Sequence, residues 1–125
     1  MDRKFVVCAL SYALLGMLLG IHMAASQNHG QFVTHAHIML VGFVVSFIYA
    51  LCHRLWLGNP TGRLVQIQFY LHQGGALLMA VGLFQLYGKR MPPEQIEPVL
   101  SLASLLVLAA MAIMLYLFLR TRSLP

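Results

Sequence analysis

Residues 34–57 read THAHIMLVGFVVSFIYALCHRLWL, and Arg54 is the only residue in the run that is charged at neutral pH. A helix needs roughly 20 apolar residues to cross the hydrocarbon core of a bilayer. Three more stretches have the same character, at about 5–26, 64–87 and 98–119. Lipid offers the backbone no water to bond, so runs this continuous are expected to be helices. The segments between them are turn formers: Gln27-Asn28-His29-Gly30, Gly58-Asn59-Pro60-Thr61-Gly62, and residues 88–93. They are short, so successive helices should pack antiparallel. The expected fold is all-α, a four-transmembrane-helix antiparallel bundle.

Composition agrees. Of 125 residues, 60% are hydrophobic and 9% charged, against about 25% charged in an ordinary soluble domain. This excludes a conventional cytosolic enzyme and a disordered tail. A net charge of +5 would favour nucleic acid in a soluble protein, but in a membrane protein it reflects basic residues collected on the cytoplasmic side, so no nucleic-acid partner is expected. The length leaves room for one integral membrane domain, residues 1–125. Cys8 and Cys52 are too few for a disulfide framework.

The basic residues orient the bundle. With the N-terminus inside, Arg3, Lys4, Arg54, Arg63, Arg120 and Arg122 are cytoplasmic, and only Lys89 and Arg90 lie opposite. The expectation is N-in/C-in in a cell inner membrane, as a multi-pass protein. Both cysteines then lie near the reducing side. Ala24-Ala25-Ser26 resembles a signal-peptide cleavage site, and cleavage there would remove His22. The apolar run before it exceeds the usual signal-peptide length of about 7–15 residues, which favours a retained span. Small residues recur where helices could meet: Gly16 and Gly20, Gly42 and Ser46, Gly75 and Gly82. Packing within one chain is the simpler reading, and a homo-oligomer interface is the other. The last span has no Asp, Glu, Lys, Arg or His between Glu97 and Arg120 and reads as a scaffold.

Six histidines accompany three acids. An ionisable group inside a span is costly and counts as a functional candidate. His35 and His37 open the second helix, about 200° apart at 100° per residue, so they should face different partners rather than chelate one ion together. His22, His35 and His37 are expected at similar depth near the outer side, within about 6 Å along the membrane normal. They are candidate ligands for heme or a metal ion. His72 falls on the third helix, roughly 12 Å from the cytoplasmic side, which makes it a poor second ligand beside His37. Gln68 and His72 are four residues apart and share a face. Interhelical hydrogen bonding is the plain reading of His72, and a quinone site or proton relay the functional one. His53 adjoins Arg54 and Trp56 and is expected at the cytoplasmic interface. His29 is expected to be solvated.

Other chemistry is missing. The chain has no CxxC, no CxxCH and no phosphate loop. Its one aspartate, Asp2, cannot complete a Ser-His-Asp set within a span. The eight methionines are scattered, and none clusters with the histidines as a copper relay would require.

The segment Phe32-Val33-Thr34-His35-Ala36-His37, followed by Ile38-Met39-Leu40 and Gly42, resembles the tenth helix of subunit I in the heme-copper oxidase and nitric oxide reductase superfamily. There a His-x-His pair opens the helix near the outer face, one histidine for the high-spin heme and the next for the low-spin heme. By position, the resemblance implies His35 for one heme and His37 for another. Residues 16–24 are similar to that family's ninth helix. Residues 68–83, ending in Gly88-Lys89-Arg90-Met91-Pro92, are similar to its eleventh, and the last span to its twelfth. The chain lacks the family's second-helix histidine, its copper ligands, its cross-linked tyrosine and its acidic proton-channel residues. It has no complete oxygen-reducing centre of its own. A second axial ligand would come from His22, from His72, or from another protomer.

The expected function is a small integral membrane b-type heme protein in electron transfer, with His35 and His37 as axial ligands and a quinol or periplasmic carrier as partner. A copper or zinc site built from His22, His35 and His37 is the second reading. A cofactor-free accessory or assembly subunit is the third.

Overall fold

The computed structural model describes residues 1–121. Arg122, counted above among the cytoplasmic basic residues, lies outside them. Four helices account for nearly all of the chain: α1 (Asp2–Ser26), α2 (Phe32–Trp56), α3 (Arg63–Tyr87) and α4 (Pro93–Arg120). Each is long and apolar enough to cross a membrane. Their outward faces stay apolar. Leu14 on α1 is 63% exposed and Leu115 on α4 is 61% exposed. A bundle that is hydrophobic on the outside as well as inside matches lipid as its solvent.

Three helices agree closely with the expected spans. α4 begins at Pro93, five residues before the expected start at Pro98. Pro98 lies inside the helix. Pro93 supplies the fixed φ that a first helical position favours. The carbonyl that Pro98 leaves unpaired belongs to Glu94, in the exposed first turn.

Neighbouring helices run antiparallel, as their cross-helix contacts show. Gly20 lies against His35, and Gly16 against Ile38 and Met39, as α1 descends past α2. Ser46 meets Gln73 and His53 meets Gln68 between α2 and α3. Gly75 lies against Ala103 and Val107, and Gly82 against Leu100, between α3 and α4. The small residues thus bring helices of the same chain together. A Cβ on Gly42 would stand 2.6 Å from Cγ of Tyr12, and one on Gly75 would stand 3.0 Å from the Ala103 carbonyl.

Between α2 and α3 the chain reverses through Gly58 and Asn59, both at positive φ (72° and 50°). Asn59 closes this end by accepting from the Asp2 backbone N–H at 3.3 Å and donating to the Asp2 carboxylate at 3.1 Å. The core concentrates at the same end, where Phe5, Tyr49, Val65, Phe69, Met114 and Leu117 pack together.

α2 is not a uniform α-helix. Residues Ile38–Val45 and Cys52–Trp56 are π-helical. Such wider turns arise where a side chain intrudes on the regular ladder and are frequent at functional sites. The first stretch contains Val41, whose carbonyl accepts a bond from His72 at 3.0 Å.

Candidate functional site

The histidines separate into two sets, called outer and inner after the expected orientation: one near the α1–α2 turn and one along the α2–α3 interface. At the α1–α2 end, His35 donates from Nδ1 to the Gly16 carbonyl across the helix interface at 2.8 Å. Its ring lies over Gly20, where a Cβ would come within 3.1 Å of Cε1. His37 donates from Nδ1 to the Val33 carbonyl of its own helix, also at 2.8 Å. The two rings therefore take different partners, as their spacing requires. A carbonyl can only accept, so each Nδ1 carries the proton and each Nε2 keeps a lone pair. No hydrogen bond engages either Nε2 among the described residues. Both side chains are partly exposed.

A metal-ligating histidine commonly donates its other ring N–H to a carbonyl, which fixes the tautomer and the ring orientation. His35 and His37 each have that arrangement. His22, the third candidate, is exposed and lies on the wall of a polar cavity of about 440 Å³ at the end of the bundle that carries the α1–α2 turn. Asn28, Gln31, Tyr87, Lys89 and Arg90 also line it. Arg90 lies over the Phe84 ring, 5.2 Å from its centroid. The ion pairs among the described residues involve only Asp2, so neither Lys89 nor Arg90 has an acidic partner there. The cavity is thus suited to an anionic group. Among the described residues no three of His, Cys, Asp and Glu come together as a metal site. The trio His22, His35 and His37 is not assembled into one.

The inner set differs from its reading in the sequence. His53, expected at the aqueous interface, is 0% exposed. Its ring stacks on Phe5 at 5.4 Å with an interplanar angle of 19°, and its Nε2 donates to Gln68 Oε1 at 3.0 Å. Its neighbours Arg54 and Trp56 are exposed as expected. His53 shares the helix face of Ser46 and Tyr49, which packs on α1 and α3, whereas Arg54 is turned about 100° away and Trp56, at the end of the π-helical turn, is 55% exposed. The 46-49-53 spacing was the available signal, and the adjoining Arg and Trp masked it.

His72 is also 0% exposed. It takes the plain role of interhelical hydrogen bonding, through Nε2 to the Val41 carbonyl rather than to Gln68. Tyr49 packs edge-on against its ring at 5.0 Å. Gln73 donates to Ser46 Oγ at 3.1 Å, and Tyr12 donates to the Gln73 carbonyl at 3.4 Å. This polar column explains why α3 is the least apolar of the four helices. His29 is exposed in its loop.

No protein-family model, curated protein or solved structure matches the chain. The functional reading therefore rests on the residues themselves.

Proposed function

We propose that this chain is a small integral membrane subunit that binds heme b and takes part in electron transfer, with Nε2 of His35 and of His37 as axial ligands. The observation that carries the reading is the pair of Nδ1-to-carbonyl bonds, each 2.8 Å long. They hold both imidazoles in the tautomer that a metal ion requires. The His-Ala-His resemblance to oxidase subunit I supports the same residues.

The donor chemistry fits heme. Two imidazoles suit the iron. Lys89 and Arg90, without acidic partners among the described residues, suit its two carboxylates at the outer end. The chain does not build a slot for the macrocycle by itself, since the cavity at the outer end and the apolar groove beside Tyr12 and Phe84 are lined without His35 or His37. Because the two rings also diverge, each would face a different heme, completed by a second copy or another subunit. Heme bound there supplies a one-electron iron couple tuned by its axial ligands and burial. The protein's own part is to fix the ligand rings and keep water from them with lipid-facing apolar surface.

The distribution of basic residues supports an N-in/C-in orientation in an inner membrane. His35 and His37 then lie near the outer surface, within reach of quinol or a periplasmic carrier.

The test is a dithionite-reduced minus oxidised visible spectrum of the detergent-purified protein, with pyridine-hemochrome quantitation. A b-type α band, with heme in fixed proportion to chain, is expected. A colourless protein from heme-replete cells would overturn the proposal.

A further inference from the structure

Four buried side-chain atoms have no hydrogen-bond partner: His53 Nδ1, Gln68 Nε2, His72 Nδ1 and Gln73 Oε1. All four belong to the polar column between α2 and α3, and none belongs to the outer set. A polar group left unpaired in an apolar interior costs about 1–3 kcal/mol, so such groups are nearly always satisfied by protein or by buried water. Four along one helix interface call for partners, and internal water is the simplest.

Their chemistry fits water. Nε2 of His53 is committed to the Gln68 carbonyl oxygen, and Nε2 of His72 to the Val41 carbonyl. Both carry hydrogen, so both Nδ1 atoms are bare acceptors. Gln73 Oε1 is a third acceptor, and the amide nitrogen of Gln68 is a donor. The set therefore offers one donor and three acceptors. A water molecule accepts from the donor and gives its two hydrogens to acceptors, the two-to-four polar partners that buried waters have. Gln68 and His72 lie one turn apart on the same face of α3, which sets the donor beside an acceptor. All four residues are held by neighbours, so the unpaired atoms cannot simply turn to solvent.

We propose that the inner half of the α2–α3 interface is a hydrated proton site, in which internal water joins His53, Gln68, His72 and Gln73 and passes protons between the two imidazoles. The step balances without a further reactant. Internal water takes the proton from Nδ1 of protonated His53 and, at the far end of its hydrogen-bonded chain, gives one to Nδ1 of His72. The water is restored, the positive charge moves from one ring to the other, and each ring keeps its Nε2 hydrogen. His72 ends the path, because its Nε2 faces a carbonyl that cannot carry a proton onward.

The charged groups nearest the column stand at its His53 end. Asp2 on α1 and Arg54 on α2 flank the inner end, paired at 3.3 Å. Residues 5–26, 32–53, 64–87 and 98–119 contain no Asp, Glu, Lys or Arg. The remaining titratable neighbours are Tyr12 and Cys8 of α1 and Tyr49 and Cys52 of α2. From α4 the side chain facing Tyr49 is Met111, whose sulfur accepts from the tyrosine hydroxyl at 3.3 Å.

The experiment is magnetic resonance on the full chain in phospholipid bilayers with 15N-labelled histidine and glutamine. Magnetisation transfer from water to the His53 and His72 rings and the Gln68 amide is expected, although these residues are wholly shielded. Exchange of the His72 ring hydrogen into heavy water should slow several-fold in His53→Phe, because protons enter past His53. Absence of water transfer to all three groups, or His72 exchange unchanged in a folded His53→Phe protein, would overturn the proposal. Gln68→Met serves if His53→Phe does not fold. It removes the donor while keeping the volume, and water transfer to His72 should fall while His22 and His29 are unaffected. Undiminished transfer to His72 in Gln68→Met would equally overturn the proposal.

Discussion

His53 Nε2 lies 3.0 Å from Gln68 Oε1, and both residues are sealed from solvent where three helices meet. The bond ties α2 to α3, while the stacked Phe5 ring ties both to α1. One interaction thus fixes the register of the inner half of the bundle.

His53→Ala should destabilise the protein strongly. It opens a cavity under Phe5 and leaves Gln68 Oε1 without its partner. Cavity and orphaned amide together are worth about 2–5 kcal/mol. His29→Ala, in the exposed loop, should be neutral. Thermal unfolding of the two variants in detergent compares them directly, and equal melting temperatures would contradict the burial of His53.

The two adjacent glycines of α3 make a sharper contrast. A Cβ at Gly75 meets Val107 at 2.8 Å and the Ala103 carbonyl at 3.0 Å, whereas one at Gly74 meets nothing within 4 Å. Backbone cannot step aside as a side chain can. Gly75→Ala should therefore cost about 1–3 kcal/mol by overpacking, and Gly74→Ala should be neutral or slightly stabilising. Denaturation of the pair reads out the α3–α4 contact.

His37→Ala should abolish a low-spin heme spectrum, and His35→Ala should change the spectrum of any second heme. His53→Phe should leave bound cofactor in place, since His53 lies sixteen residues from His37 along α2, roughly 20 Å away. Heme content per chain, measured by pyridine hemochrome, decides each case. Retention in His37→Ala together with loss in His53→Phe would reverse the site assignment.

Reporter fusions at the two ends should both report the cytoplasmic side. Arg3 and Lys4 together are expected to contribute to that orientation, so replacing both with glutamate should increase the fraction of inverted chains. A uniformly periplasmic N-terminal reporter on the wild-type chain would contradict the basic-residue argument.

Much of the architecture was legible without coordinates. Four apolar runs separated by Gly, Asn and Pro clusters already dictate four helices with short reversals, because lipid tolerates few alternatives. The divergence of His35 from His37 followed from helical periodicity alone. Local chemistry misled in two places. The last span, expected from residue 98, starts at Pro93, because prolines in the exposed first turn of a helix cost little. His53 was assigned to the interface by its neighbours Arg54 and Trp56, although a single helical turn carries one residue to water and the next to the core.

The sequence by itself determined the spans and the candidate imidazoles, because hydropathy, helical period and turn chemistry are properties of nearby residues. Only the tertiary structure decided which nitrogen of each imidazole is engaged. Gly16 and His35, or Val41 and His72, become partners only when helices far apart in sequence pack together. That same packing left His35 with Nε2 free, as the local bond to Val33 does for His37, and buried His53, Gln68 and His72 in the α2–α3 interface.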